Sequence, residues 1–284
     1  MTVRELIRQS EAMLDDKDKD CHVAKVLFYH LANKEPHQLY LMMDEEVDED
    51  VLEAFQAGMK RYMDGEPIQY IKGKETFFSR DFIVNEKVLI PRYETEELVE
   101  NILYKIDDYF EDDQSIQLCD VGTGSGAIAI SLALEESKLN VIATDISEEA
   151  LEVARLNAKE LGADIKFYQG DMLEPLMKRG IKVDIFVSNP PYIPVHQEIE
   201  SVVKDNEPHV ALFGGHDGLY FYRKIFSQVK EVIKERALLA FEMGFDQRQL
   251  MEEAVEHYFP NIPYEIIKDM NGKDRMLFIY YHLK

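Results

Sequence analysis

The spacing of apolar residues changes character twice along the chain. From the N-terminus, apolar positions recur every three to four residues, the period of a helix with one buried face. Leu6, Ile7, Ser10, Met13 and Leu14 mark a first helix, opened by Thr2-x-x-Glu5 at capping-box spacing. Val23, Ala24, Leu27, Phe28 and Leu31 mark a second, with Pro36 beyond its end, and Val51, Leu52, Phe55, Met59, Tyr62 and Met63 a third. A small helical domain over residues 1–75 is expected. Between residues 76 and 93 the runs shorten to strand length, and Thr76-Phe77-Phe78 and Phe82-Ile83-Val84 flank Ser79-Arg80 as a hairpin linking two domains.

From residue 94 onward, a helix through about Ile106 leads into alternating strands and helices. Strands are expected at Ile116–Asp120, Val141–Thr144, Ile165–Tyr168, Val183–Ser188 and Ala237–Glu242. Helices are expected at Ala127–Leu134, after Ser147, at Tyr220–Ile233 and at Gln247–His257. The last two strands, Tyr264–Lys268 and Arg275–Tyr281, are joined through Asn271-Gly272, a hairpin signal. This order predicts an α/β domain over 94–284 whose mostly parallel, Rossmann-like sheet ends in an antiparallel pair.

Ligands of such sheets bind beyond the C-terminal ends of the strands. Gly122-Thr123-Gly124-Ser125-Gly126 follows the first strand, where alternate glycines let the backbone approach a ligand and aim amides at it. Asp120 ends that strand and can accept from an ammonium group. Asp145 ends the next and falls where a carboxylate meets ribose hydroxyls. Asp171 can accept from an adenine amine, with Met172 against the ring. Residues 193–218 read as one long loop on the substrate wall, and His196 and His209 as loop or core histidines.

Asn189-Pro190-Pro191-Tyr192 follows the fourth strand. Two prolines fix φ and hold Asn189 extended, so the turn is rigid. The Asn189 side-chain carbonyl, the Pro190 carbonyl and the flat face of Tyr192 suit a planar NH2 group: two acceptors take its hydrogens while the ring stacks. Amides and exocyclic amines are weak nucleophiles, and fixed acceptors orient them toward an electrophile. Glu242 ends its strand on the same edge and is expected as a structural acceptor.

Composition narrows the partner. In 284 residues, 55 acidic against 32 basic side chains give a net charge of −23, which repels bare nucleic acid. Cys21 and Cys119 lack metal-ligand spacing and read as buried thiols, and no metal site is expected. No apolar run reaches membrane-spanning length, and the polar start carries no export signal, so a cytoplasmic protein is expected.

Asp120-x-Gly122-Thr123-Gly124-Ser125-Gly126 with Asp145 resembles the S-adenosylmethionine site of Rossmann-like methyltransferases, and Asn189-Pro190-Pro191-Tyr192 resembles the signature of those that methylate planar nitrogens. Gly65-Glu66-Pro67-Ile68-Gln69-Tyr70-Ile71, Pro91-Arg92-Tyr93-Glu94-Thr95 and the run from Glu207 through Gly214-Gly215-His216-Asp217-Gly218 to Leu219 narrow this to the PrmC/HemK family of release-factor glutamine methyltransferases. Tyr93 stands where the family commonly has proline, and Met172 where it often has an aromatic residue.

The resemblance implies methylation of the side-chain amide nitrogen of the glutamine in the Gly-Gly-Gln loop of class 1 peptide chain release factors. S-adenosylmethionine would be consumed, with S-adenosylhomocysteine as product. By position, Gly122 to Gly126, Asp145 and Met172 would contact the cofactor, and Asn189, Pro190, Pro191 and Tyr192 the glutamine. A monomer whose helical domain binds the release factor is expected, with no direct contact to nucleic acid. Two rival readings are a base amino-methyltransferase and a non-catalytic cofactor-binding module. Acidity opposes the first, and an intact amide clamp the second.

Overall fold

The structure is a computed structural model that describes residues 1–283. The chain forms two compact units, one of Met1–Lys74 with Ser201–Asn206, the other of Glu75–Glu200 with the chain from Glu207 onward.

The first unit is helical: α1 (Val3–Asp15), α2 (His22–Leu31), α3 (Pro36–Leu39), α4 (Glu49–Met63) and α5 (Ile68–Lys72). Thr2 caps α1 in a full capping box, its hydroxyl accepting from Glu5 N while the Glu5 carboxylate accepts from Thr2 N. Leu6, Ile7 and Leu14 of α1 meet Val23, Leu27 and Phe28 of α2 and Phe55 and Met59 of α4 in one core, with Phe28 and Phe55 edge to face at 6.2 Å. Met13, expected on the buried face of α1, is exposed. Residues 193–218 are not a single loop. They hold α10 (Ser201–Asn206), which belongs to this first unit and whose Asn206 Nδ2 donates to Gly65 O at 3.0 Å. Six residues are too few to show a helical period.

In the second unit, β2 (Arg80–Ile83) returns against β1 (Lys74–Phe77), and Phe77 and Phe82 are fully buried in this unit's core beside Leu98 and Ile102 of α6 (Tyr93–Tyr109). The hairpin is therefore part of a packed core, where the sequence suggested a linker. The main sheet adds β3 (Ile116–Val121), β4 (Leu139–Asp145), β5 (Ile165–Gln169), β6 (Val183–Ser188), β7 (Ile233–Glu242), β8 (Tyr264–Lys268) and β9 (Asp274–Tyr281), in the spatial order β5-β4-β3-β6-β7-β9-β8. Pairing is parallel from β5 through β7 and antiparallel for β9 with both its neighbours. The remaining helices are α7 (Ala127–Glu135), α8 (Glu148–Leu161), α9 (Glu174–Arg179), α11 (Tyr220–Gln228) and α12 (Arg248–Tyr258).

Successive strand residues point to opposite faces, and each face is covered. Leu118, Val141, Ile185 and Leu238 pack with α6 and α7, whereas Cys119, Ile142, Phe186 and Leu239 pack with α11 and α12. Cys119 is fully buried, but Cys21 is only partly so. Two boundaries differ from expectation. Helix α11 ends at Gln228 and a 3₁₀ turn, Val229–Glu231, follows; Tyr222, Phe226, Val229 and Val232 keep helical spacing through the turn, so the apolar pattern did not mark the break. Strand β7 starts at Ile233, hidden by the exposed run Lys234-Glu235-Arg236 beside an irregularity in its pairing with β6.

Candidate active site

The chain leaves β3 for β4 on one side and later adds β6 on the other, so strand order reverses between β3 and β6. At such a point the connections diverge and leave a crevice beyond the strand ends. The glycine turn follows β3 and Asn189-Pro190-Pro191-Tyr192 follows β6, placing both at its mouth. A cavity of about 360 Å³ opens there.

The glycine turn is held from two sides. Gly122 N and Thr123 N both donate to Thr144 O, at 2.8 and 3.0 Å, and Asn157 Nδ2 of α8 donates to Ser125 O at 2.9 Å. Asn157 also exchanges hydrogen bonds with both backbone groups of Ile83, tying β2 to the turn. Gly122 and Gly124 have φ of +77° and +56°, and a Cβ on either would project into open space. That space is where a ligand can lie against bare backbone. Gly126, with φ +84°, instead starts α7 in tight packing, where a Cβ would come within 2.8 Å of Ile130 Cδ1.

Asp145 joins the turn to the rim of the cavity. Its Oδ2 accepts from Gly124 N and its Oδ1 from Ser147 N, both at 2.9 Å. Burial raises its pKa from the ordinary carboxylate value, against these amide bonds. The remaining wall is largely apolar, with Val88, Leu89, Ile146, Met172, Val210 and Phe221 among its residues. Asp171 also lines it, ion-paired with Lys224 of α11. A largely apolar cavity lined by a carboxylate and bare glycine backbone suits a ligand that carries a ring, hydroxyls and a polar tail.

Seven of the expected residues therefore line one cavity: Gly122, Gly124, Asp145, Asp171, Met172, Asn189 and Pro191. Asp120, Thr123, Ser125 and Gly126 are buried behind it. Asp120, expected to reach an ammonium group, instead accepts from Thr123 Oγ1 at 2.6 Å and braces the turn from beneath. Its other oxygen is buried with no hydrogen-bond partner among the described residues, and burial lifts its pKa to about 7.

The Asn189 turn is also braced. Pro190 is buried, and the Tyr192 hydroxyl donates to Glu242 Oε1 at 3.1 Å. Gly214 N donates to Ile193 O at 2.8 Å, and Gln247 Nε2 to Tyr192 O at 2.8 Å. His196 and His209, expected as loop or core histidines, are not among the residues that line the cavity. Sequence reasoning missed Val88 and Leu89, which lead toward Pro91-Arg92, and Phe221 at the start of α11. It also missed the ion pair of half-buried Arg92 with buried Glu207, whose Oε2 accepts from Ile90 N at 3.2 Å. Both signature segments contain one half of that pair, and only that coincidence could have suggested it.

Among known proteins, the family model described as a methyltransferase domain matches residues 112–273, and that described as the PrmC N-terminal domain matches residues 5–73. A methyltransferase from Pyrococcus furiosus shares the fold, with a TM-score of 0.53 at 17% identity over 80% of this chain and 98% of that one. The release factor glutamine methyltransferase of Bacillus cereus is 42% identical over 280 residues, 98% of this chain and 99% of its own. That of Bacillus subtilis is 41% identical over 283 residues, 99% of this chain and 98% of its own. S-adenosylmethionine is the methyl donor, and the donor set fits it: bare glycine backbone, the Asp145 carboxylate and an apolar slot. On the match of nearly its whole length, the chain belongs to the release factor glutamine methyltransferase family.

Proposed function

We propose that this protein methylates the side-chain amide nitrogen of the glutamine in the Gly-Gly-Gln loop of class 1 peptide chain release factors. One observation carries the reading: Asn189 and Pro191 of the amide-clamping turn form part of the wall of the methyl-donor cavity, so acceptor and donor meet without a relay. When bound, S-adenosylmethionine supplies an electrophilic methyl group on a sulfonium. Gly122, Gly124 and Asp145 would hold it, with Met172 and Leu89 against its ring.

The residues of the turn orient and dehydrate the amide. Asn189 Oδ1 and the Pro190 carbonyl accept the two amide hydrogens and favour the positive charge that grows on nitrogen during transfer. The Tyr192 hydroxyl is not a base, because burial and the neighbouring Glu242 carboxylate raise its pKa well above the ordinary phenol value. The proton therefore leaves to solvent, after methylation has made the nitrogen strongly acidic. The first unit serves as the release-factor-binding domain, and the protein acts as a cytoplasmic monomer without direct nucleic-acid contact. The net charge of −23 supports the last point.

Mass spectrometry of a purified release factor, incubated with this protein and S-adenosylmethionine, tests the reading. A single added methyl on the loop glutamine, absent when that glutamine is replaced, is the expected result. Asn189→Ala should lower transfer by about 100-fold or more with cofactor affinity largely retained. Normal turnover in that variant would overturn the mechanism.

A further inference from the structure

Thr95 lies in the first turn of α6 and Glu242 at the end of β7, both nearly inaccessible to solvent. Thr95 Oγ1 donates to Glu242 Oε2 at 2.6 Å, and the Tyr192 hydroxyl donates to the other carboxylate oxygen at 3.1 Å. On its far side, Thr95 Oγ1 faces Asn189 Nδ2 at 3.5 Å. That separation is long for a hydrogen bond, but it still imposes a polarity.

A hydroxyl has one proton and an ionised carboxylate has none to give. With its proton committed to Glu242, Thr95 can show Asn189 only lone pairs. The two ends of an asparagine amide are nearly equal in size, so packing alone does not choose between them. Lone pairs do choose: they attract the NH2 end and repel the carbonyl. The carbonyl then turns away from Thr95, toward the acceptor. In the flipped orientation, two amide groups would present hydrogens to each other and the clamp would fail.

We infer that Thr95 and Glu242 are positioning residues, which set the end of the Asn189 amide that meets the substrate nitrogen and, through the Tyr192 hydroxyl, fix the ring beside it. The inference rests on the glutamine-methylation reading above. Burial, the largest cause, raises the Glu242 pKa from the ordinary carboxylate value, while the Thr95 hydroxyl, the Arg275 charge and the Tyr192 hydroxyl act against it and favour the charged, accept-only form.

The test compares methyl transfer to a release factor by the wild-type protein and by Thr95→Val, Thr95→Ser and Glu242→Gln. Cofactor affinity and thermal midpoint are measured on each. Valine keeps the shape and removes the lone pairs; glutamine can donate to Thr95 and free its proton to face Asn189. Both variants should lose about 10- to 100-fold in kcat, with KM for the release factor and cofactor affinity within about threefold of wild type. Serine should restore most of the rate, and Glu242→Gln should melt no lower than wild type because it removes a buried charge. A normal rate in Thr95→Val, a serine variant as slow as valine, or losses that track cofactor affinity or melting would overturn the inference. If the wild-type protein itself leaves the release factor unmethylated, the glutamine reading falls and this inference with it. An active wild type beside an equally active Thr95→Val sinks this inference alone.

Discussion

Asp120 concentrates the electrostatic strain of the site in one residue. Its carboxyl is wholly buried at the end of β3, with one oxygen bonded to Thr123 and the other without a hydrogen-bond partner among the described residues. Burial is the largest cause of its rise from 3.8 to about 7; the Thr123 hydroxyl acts against it and the nearby Asp145 with it. A carboxylate raised in the folded state binds its proton more tightly there than in the unfolded chain. Between about pH 4 and 7 the folded protein therefore holds the extra proton, and stability falls as pH rises. Above pH 7 the ionised group opposes folding by up to about 4 kcal/mol. Asp120→Asn should therefore raise the thermal midpoint of the ligand-free protein at pH 8 and flatten its decline between pH 5 and 8. Melting curves of the two proteins that shift in parallel with pH would refute this account.

At the level of elements, the Asn189 turn is rigid because other backbone lies directly on it. Gly218 has φ +78°, and a Cβ there would stand 2.2 Å from Tyr192 O and 2.1 Å from Gln247 Nε2. A Cβ on Gly214 would stand 2.4 Å from Pro191 O. Backbone cannot yield as a flexible side chain does, so Gly218→Ala must displace the turn or itself. It should cost about 1–3 kcal/mol by denaturant unfolding and lower methyl transfer more than it lowers cofactor affinity. Unchanged transfer would show that the segment only covers the turn. Such contacts explain what was legible in the sequence. The strands, the glycine turn and the Asn189 turn were readable because period and proline or glycine punctuation are local. Thr95 with Glu242, and Arg92 with Glu207, lie 147 and 115 residues apart, and only the tertiary fold brings them together. The sequence also misplaced Asp120, since a strand-end carboxylate can turn toward the ligand or back under its own loop, and Thr123 decides for the loop.

The whole molecule carries far more negative charge than its ion pairs can absorb. If every one of its 32 basic side chains met an acid, 23 of the 55 acidic ones would still lack a cation. Pairs such as Arg4 with Asp44 and Arg155 with Glu148 are exposed, and exposed pairs contribute about 0–1 kcal/mol each. Added salt weakens these attractions and the general repulsion together, since the Debye length is about 10 Å at 0.1 M. Short pairs lie inside that length, whereas repulsion summed over the surface acts mostly across longer distances. Screening should therefore remove more repulsion than attraction. Raising sodium chloride from about 0.02 to 0.5 M should lift the thermal midpoint by about 2–4 °C, or about 1 kcal/mol. A sulfate series would confound this with stronger apolar burial, so chloride is the appropriate salt. A midpoint that falls with chloride would mean that the pairs outweigh the excess charge, and that the acidic residues are arranged far from one another.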